Sequence, residues 1–186
     1  MHTLEDIRQL EDDRQFTEAL DAYDRLYQHD SSEYNVWKHY FFLLWEVVEE
    51  VDENTLLDKK VRPRMKELLA EGKTRFSDLA DFNFIAGYAI AMFPYEFGDY
   101  DDMLQSALGM LRKAHVLEPG NTLYRYLATS FAGEEEEELS RHKHAALPVI
   151  RATFQGKGAL NKYFRQVLLH ENADIISGMH LLFIQL

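Results

Sequence analysis

The sequence predicts an all-α protein of stacked antiparallel helical hairpins, arranged either as a solenoid or as a compact bundle. Apolar side chains recur at i, i+3, i+4 and i+7 along most of the 186 residues, which is the period of an amphipathic helix. No segment alternates like a half-buried strand, and glycine or proline interrupts the chain at short intervals. Short helices joined by short turns favour antiparallel neighbours. A chain of this length buries one sizeable core, so we expect a single domain over residues 1–186.

The first two helices are predicted within residues 12–51. The segment DDRQFTEALDAYDRLYQHD places Phe16, Leu20 and Tyr23 on one face, and Ser31 supplies a cap for the helix that follows. That second helix, in EYNVWKHYFFLLWEVVEEV, is apolar on more than one side, so we expect it to pack between neighbouring helices. The same periodicity predicts further helices at about residues 55–71, 76–93, 101–117, 121–132, 135–154, 159–170 and 173–185.

The tripeptide GKT at residues 72–74 has the composition of a phosphate-binding loop, but the pattern fails upstream. A Walker A motif needs a glycine five residues before Gly72, where this chain has Glu67, and no strand is predicted before it. We therefore predict no phosphate loop here. Gly72 is expected instead to form the left-handed cap at the end of a helix.

Residues 175–186, IISGMHLLFIQL, are mostly apolar. If they were exposed, they would form an adhesive surface. We expect them to pack as a closing helix or to lie in a homodimer contact.

Four residues between positions 107 and 119 have a regular spacing. Ala107, Leu111, Ala114 and Pro119 follow the pattern A-x3-L-x2-A-x4-P. The two alanines let helices approach closely, Leu111 fills the gap between them, and Pro119 ends the helix. We therefore predict that both alanines are buried where two helices touch.

This pattern resembles the second half of a tetratricopeptide repeat (TPR). A degenerate copy begins at Ala19. Trp37 begins a segment that resembles the first half of the repeat, although Phe41 stands where the family has glycine. The resemblance covers about residues 4–45 and 84–130. It implies a TPR-like domain of stacked helix pairs with a concave protein-binding surface.

The sequence lacks the motifs and residue spacings on which most enzyme active sites and metal sites depend. The chain has no G-x-S-x-G motif, and His142 and His144 would point to different sides of a helix. The run GEEEEELSRHKH lacks the alternating oxygen ligands of a calcium loop and is expected to be a solvated helix start. We therefore expect no enzyme activity, no cofactor and no metal site. Beside the two protein-binding functions given below, the third alternative is an enzyme whose catalytic residues come together only in the folded chain.

Charge is unevenly distributed along the chain. The net charge is −12, and residues 1–60 hold 16 of the 32 acidic residues but only six of the 20 basic ones. Because nucleic acids and anionic membranes attract basic proteins, we expect neither as a partner. The chain has no cysteine, and its first residues lack the features of a secretory signal, so we expect a soluble cytoplasmic protein.

The candidate partner-binding residues are acidic or aromatic. Four glutamates at i, i+3, i+4 and i+7 form one acidic stripe on a helix. Tyrosines near helix starts, or in the loop MFPYEFGDYDD, are favoured interface anchors. The predicted site residues are Glu46, Glu49, Glu50, Glu53, Tyr34, Tyr40, Tyr95 and Tyr100.

Together these features indicate a module for protein–protein interaction with a basic partner. By analogy of size and charge, its most concrete function is that of an acidic immunity protein, which binds a basic nuclease-type toxin and occludes its cleft. The alternative is a TPR-like adaptor, or a regulatory or co-chaperone module that reads a peptide or a partner protein. The acidic surface can also be interpreted as one that only keeps the protein soluble.

Overall fold

The computed structural model describes residues 2–50, 58–132 and 135–169. Within these ranges the chain forms nine α-helices, one 3₁₀ turn and no β-strand, which confirms the all-α prediction. The helices are α1 (Leu4–Asp12), α2 (Phe16–His29), α3 (Tyr34–Glu50), α4 (Asp58–Arg75), α5 (Ala80–Met92), α6 (Tyr100–Leu117), α7 (Thr122–Ser130), α8 (Glu136–Thr153) and α9 (Ala159–Leu169). The 3₁₀ turn, Pro94–Glu96, lies between α5 and α6. None of the described helices is long and apolar enough to cross a membrane.

Helices α2 to α9 lie where the apolar periodicity predicts them, each within a few residues. Helix α1 is not predicted by that periodicity, and local capping fixes its start. The Thr3 hydroxyl accepts the backbone N–H of Asp6 at 3.2 Å, and the Asp6 carboxylate accepts the backbone N–H of Thr3 at 2.8 Å. The helix predicted at 173–185 and the apolar segment 175–186 lie outside the described residues.

Most consecutive helices pack against each other as antiparallel neighbours, and the α5–α6 pair shows how closely. A Cβ atom on Gly87 of α5 would come within 3.2 Å of the Ala107 carbonyl oxygen and of Leu111 Cγ on α6. Ala107, Leu111 and Ala114 are all buried. The prediction that the two alanines are buried is therefore confirmed, and Ala107 lies directly at the helix contact.

Helix α3 lies at the centre of the bundle, in contact with α2, α4, α5 and α9. Trp37, Phe41 and Leu43 on this helix are fully buried. The Trp37 indole N–H donates to the Leu68 carbonyl of α4 at 2.8 Å, so its one polar atom is satisfied. The expectation that this helix packs between neighbours is confirmed.

Helix α9 returns to the start of the chain and packs on α1 and α3 as well as on α8. Its Phe164 ring is fully buried against Phe42 of α3, Phe84 of α5 and Phe154 at the end of α8, with ring centroids 5.3, 5.1 and 4.8 Å away. These contacts bring α9, the last described helix, back against helices from the start of the chain, so the hairpins form a closed bundle.

The predicted role of Gly72 is wrong. Gly72 lies inside α4 and does not have the positive φ of a left-handed cap. A Cβ atom at this position would lie 2.6 Å from ring carbons of both Trp37 and Phe82. The glycine is therefore required by the close approach of α4 to two aromatic rings, which a local sequence pattern does not reveal.

Gly72→Ala is expected to lower the free energy of unfolding by about 1–3 kcal/mol, because the added methyl group overpacks a rigid aromatic contact. The matched control is Gly109→Ala in α6, where an added Cβ meets no atom within 4 Å. That control is expected to gain up to about 1 kcal/mol from helix propensity. Urea unfolding measures both variants, and a Gly72→Ala variant as stable as Gly109→Ala would contradict the assigned contact.

Candidate functional site

A cavity of about 430 Å³ opens between α2, α3 and α4. Its wall combines apolar side chains, one tyrosine, carboxylates and basic groups. We call it the α2–α4 cavity, and its lining includes Leu20, Asp21, Asp24, Tyr40, Leu44, Lys60, Arg64 and Glu67.

Arg64 is held against the wall of the α2–α4 cavity by several partners. Its guanidinium carbon lies 5.5 Å from the ring centroid of Tyr27 and 5.6 Å from that of Tyr40. Its Nη1 atom lies 3.2 Å from a Glu67 oxygen and 3.3 Å from a Glu71 oxygen. These contacts fix the position of the arginine and engage its charge within the protein.

Two aspartates of α2 meet the same cavity in different ways. Asp24 accepts the Tyr40 hydroxyl at 3.3 Å and lies 3.6 Å from Arg64 Nε. Burial raises the pKa of Tyr40 to about 12, so the phenol keeps its proton and donates at neutral pH. Asp21, one turn earlier on α2, is exposed. Its carboxylate is therefore accessible to a molecule from solution.

The four predicted tyrosines lie in separate parts of the surface and core. Tyr34 is half-buried and donates its hydroxyl to Asp81 at 2.9 Å, whereas Tyr40 is buried in the wall of the α2–α4 cavity. Tyr95 and Tyr100, in and after the loop between α5 and α6, are 58% and 36% exposed. The last two therefore keep the most area for a partner.

The predicted glutamate stripe is described only in part. Glu46 on α3 is half-buried. Glu49 and Glu50 belong to the end of α3, but their side chains lie outside the described residues, as does all of Glu53. The stripe therefore stays a prediction.

A second cavity, of about 220 Å³, lies where α9 returns to the start of the chain. Its polar lining comes from α1, α3, α5 and α9, which are distant in sequence. We call it the closure cavity, and its polar residues include Arg8, Asn35, Lys38, His39, Asp81 and Asn161.

Arg8 and His39 form a direct pair at the closure cavity. Arg8 Nη2 lies 2.7 Å from His39 Nε2. A guanidinium group can only donate, so Nε2 accepts, and the neutral ring carries its proton on Nδ1. Burial lowers the pKa of His39 well below its ordinary value, and the positive charges of Arg8 and Lys38 lower it further. Lys38 itself pairs with Asp81 at 2.8 Å.

The contribution of His39 to stability is expected to fall as the pH drops below about 6.5, because His39 takes up a proton in the unfolded chain but not in the fold. For one proton the slope is at most about 1.4 kcal/mol per pH unit. Urea unfolding of the wild type and of His39→Gln, at about pH 7.5 and 5.5, isolates this contribution. Glutamine offers Arg8 an oxygen and does not titrate, so the variant should have the shallower pH dependence. Equal slopes would contradict a buried neutral His39.

Arg8 and His39 were not predicted as site residues, although one signal was present. His39 lies within the segment VWKHYFFLLW, where a polar side chain on an otherwise apolar helix is expected to be buried with a partner. The identity of that partner could not be predicted, because Arg8 lies 31 residues away on another helix.

Among the described residues no cluster of histidine, aspartate and glutamate has the geometry to hold a metal ion. Comparisons with protein-family models, with curated proteins and with solved structures found no match to this chain.

Proposed function

We propose that the chain is a protein-binding module whose acidic N-terminal third docks a basic protein. The α2–α4 cavity is the observation that carries this proposal. Asp21 and Asp24 from that third, with Glu67 of α4, bring three carboxylates to its opening, against the two basic groups of Lys60 and Arg64. A protein with a net charge of −12 also attracts basic partners over longer distances, which speeds their encounter.

The cavity suits the side chain of a lysine or an arginine. Such side chains combine an apolar stem with a charged head. The stem would pack on Leu20 and Leu44, and the head would reach the exposed carboxylate of Asp21. Because Arg64 is already paired with Glu67 and Glu71, it does not compete for Asp21.

In its most concrete form, the proposal is an immunity protein that neutralises a basic nuclease-type toxin by occlusion. Exposed acids after α1 and on α2, among them Asp13, Glu18 and Asp21, support it, because carboxylates on a rigid surface can replace the phosphates of a nucleic acid in the toxin's cleft. The hairpins would act as TPR-like supports that hold these acids in place.

The alternative is a TPR-like adaptor, or a regulatory or co-chaperone module, that reads a peptide or a partner protein through tyrosines. The loop between α5 and α6, which displays Tyr95 and Tyr100, favours it. That loop is held to α4 by an ion pair between the buried Glu96 and Arg62. A loop that is ordered before binding loses less entropy when a partner docks.

Asp21→Lys is expected to weaken partner binding at least about tenfold, since it reverses the charge at the opening of the cavity. The immobilised chain first captures partners from a lysate of the cells that produce it, and mass spectrometry identifies them. Affinity for the captured protein is then measured for the wild type, for Asp21→Lys and for a variant with Glu46, Glu49, Glu50 and Glu53 reversed. Each measurement is made at about 0.05 and 0.5 M salt.

The matched control is Glu118→Lys, which makes the same charge change at an exposed position after α6. It should leave affinity within about twofold. A partner whose binding ignores salt, Asp21 and the glutamate stripe would contradict acidic docking. Loss of binding in Tyr95→Ala and Tyr100→Ala would then favour the adaptor. Inhibition of a nuclease activity in the captured partner tests the immunity function separately.

A further inference from the structure

We propose that the apolar segment 175–186 of the same chain covers an apolar surface beside the first half of α8. We call it the α8 surface, and its residues, all half-buried and packed against the core, are Phe131, Leu139, Tyr163 and Leu169. This surface is separate from the α2–α4 cavity, and the proposal does not depend on the docking of a protein partner.

Helix α8 is longer than the helix that returns along it. Helix α8 has 18 residues and α9 has 11, and the turn at residues 154–158 joins them. At 1.5 Å per residue, the start of α8 therefore extends about 10 Å beyond the end of α9 at Leu169. Among the described residues, α9 cannot cover this part of α8.

Burial along α8 agrees with this difference in length. The buried residues of this helix, Ala146 and Ile150, both lie in its second half. On the same face of the first half, Leu139 and His142 are only half-buried. Helix α7 covers one flank, where Thr129 Oγ1 lies 3.3 Å from His142 Nδ1. Within the described ranges, the other flank has no packed helix along the first half of α8 to cover it.

The α8 surface lies at the end of the bundle where α9 ends. The rings of Phe131 and Tyr163 both contact Tyr88, with centroids 6.2 and 6.0 Å from it. Leu169 is the last residue of α9, and Leu139 lies in the first turn of α8. The chain therefore leaves α9 at the edge of the surface that the segment would cover.

Residues 175–186 have the composition and spacing of a segment that covers such a surface. They contain no aspartate, glutamate, lysine or arginine. On the helix predicted for this segment, one face of about 120° holds Ile175, Ile176, Met179, Leu182, Phe183 and Leu186. The segment therefore has one apolar face to bury and no charged side chain to desolvate.

The connection between α9 and this segment is short. Residues 170–174, HENAD, separate Leu169 from Ile175, so the connection spans at most about 20 Å when it is extended. A short connection holds the segment near the α8 surface at an effective concentration in the millimolar range. A second copy would have to approach from solution against a net charge of −12 on each chain. These terms favour the chain's own segment as the occupant.

Paramagnetic relaxation in the full chain tests this contact. The sequence contains no cysteine, so Gln185→Cys places a single nitroxide label in the segment. We expect the amide NMR signals of Phe131 and Leu139 to lose most of their intensity relative to the reduced label. Leu79 and Val116, exposed apolar residues at the start of α5 and the end of α6, should keep theirs.

Two neighbouring substitutions in the labelled chain test the apolar face of the segment. Phe183→Asp puts a charge on that face, so it should lower the docked population at least about tenfold and restore the Leu139 signal. Ile184→Asp is the matched control, because it adds the same charge at the next position, outside the predicted face, and should preserve the signal loss. If Phe183→Asp fails to fold, the labelled chain without it still decides.

A mixture of spin-labelled chains with ¹⁵N-labelled chains that carry no nitroxide separates the chain's own segment from a second copy. We expect no loss of intensity in the ¹⁵N-labelled chains. A loss at Leu139 in this mixture would overturn the proposal in favour of a homodimer contact. Loss of signal at Leu79 and Val116 instead, no loss at Leu139 in the labelled chain, or equal effects of the two substitutions would also overturn it.

Discussion

Phe164→Ala is expected to lower the free energy of unfolding by about 3–5 kcal/mol, the largest loss among the variants considered. The ring is fully buried, and it packs on aromatic rings from α3, α5 and the end of α8. Truncation leaves a cavity among rigid rings that cannot close around it. Urea unfolding followed by tryptophan fluorescence measures the loss, since Trp37 and Trp45 lie in the same core.

The same variant also tests the closure of the bundle. Because α9 packs on α1 and α3, its weakening should raise amide hydrogen exchange in α1 as well as in α9. The control is Tyr95→Ala, an aromatic truncation at a position that is 58% exposed, which should cost less than about 1 kcal/mol. Unchanged exchange in α1 would contradict the closure, even if the stability falls as expected.

Glu11→Ala is expected to lower the free energy of unfolding by about 2–5 kcal/mol. The Glu11 carboxylate is buried and joins two helices to α1: it accepts the Tyr23 hydroxyl at 2.6 Å and the Ala159 backbone N–H at 2.6 Å. Alanine leaves both donors buried without an acceptor, at about 1–3 kcal/mol each. The control is Glu18→Ala on the exposed side of α2, which should change stability by less than about 0.5 kcal/mol.

A second variant, Glu11→Gln, separates charge from hydrogen bonding. Its amide oxygen can accept one of the two donors, so the loss should be smaller than for alanine. Burial raises the pKa of Glu11 above its ordinary value of 4.5, so the folded state holds this proton more tightly than the unfolded chain. The wild type therefore loses part of its stability as the pH rises through the window above 4.5, and Glu11→Gln should lack that loss. Identical pH profiles of the two proteins would contradict the buried carboxylate.

The helices themselves could largely be predicted from the sequence, because each one depends on residues close together in the chain. The apolar stripe of Phe16, Leu20 and Tyr23 predicts α2 regardless of which helices it packs against. The spacing of Ala107 and Leu111 likewise predicts a close helix contact, which Gly87 completes. Helix α1 could not be predicted in this way because it is short and highly charged. Its buried Glu11 gains its partners only from α2 and α9.

The sites could not be predicted in the same way, because their residues come together only through packing. Gly72 looks like a helix cap in sequence, yet its role depends on Trp37, which is 35 positions earlier, and on Phe82 of the next helix. The closure cavity joins Arg8 of α1 to Asn161 of α9. Only the anomaly of a histidine within the apolar α3 pointed to it. The tyrosines were predicted from residue type and from positions near helix starts or in a loop, neither of which reveals burial, and the fold buries Tyr40 while it exposes Tyr95.

The pairing of Glu11 with Ala159 also determines when the protein can finish folding during its synthesis. The two residues are 148 positions apart. At a translation rate of about 5–20 residues per second, α1 leaves the ribosome roughly 7–30 s before the acceptor in Glu11 meets its donor in α9. A purely local helical array could fold stepwise as each hairpin emerged. This chain instead completes its core in a late, long-range step, and until then its N-terminal helices expose surface that the finished bundle buries.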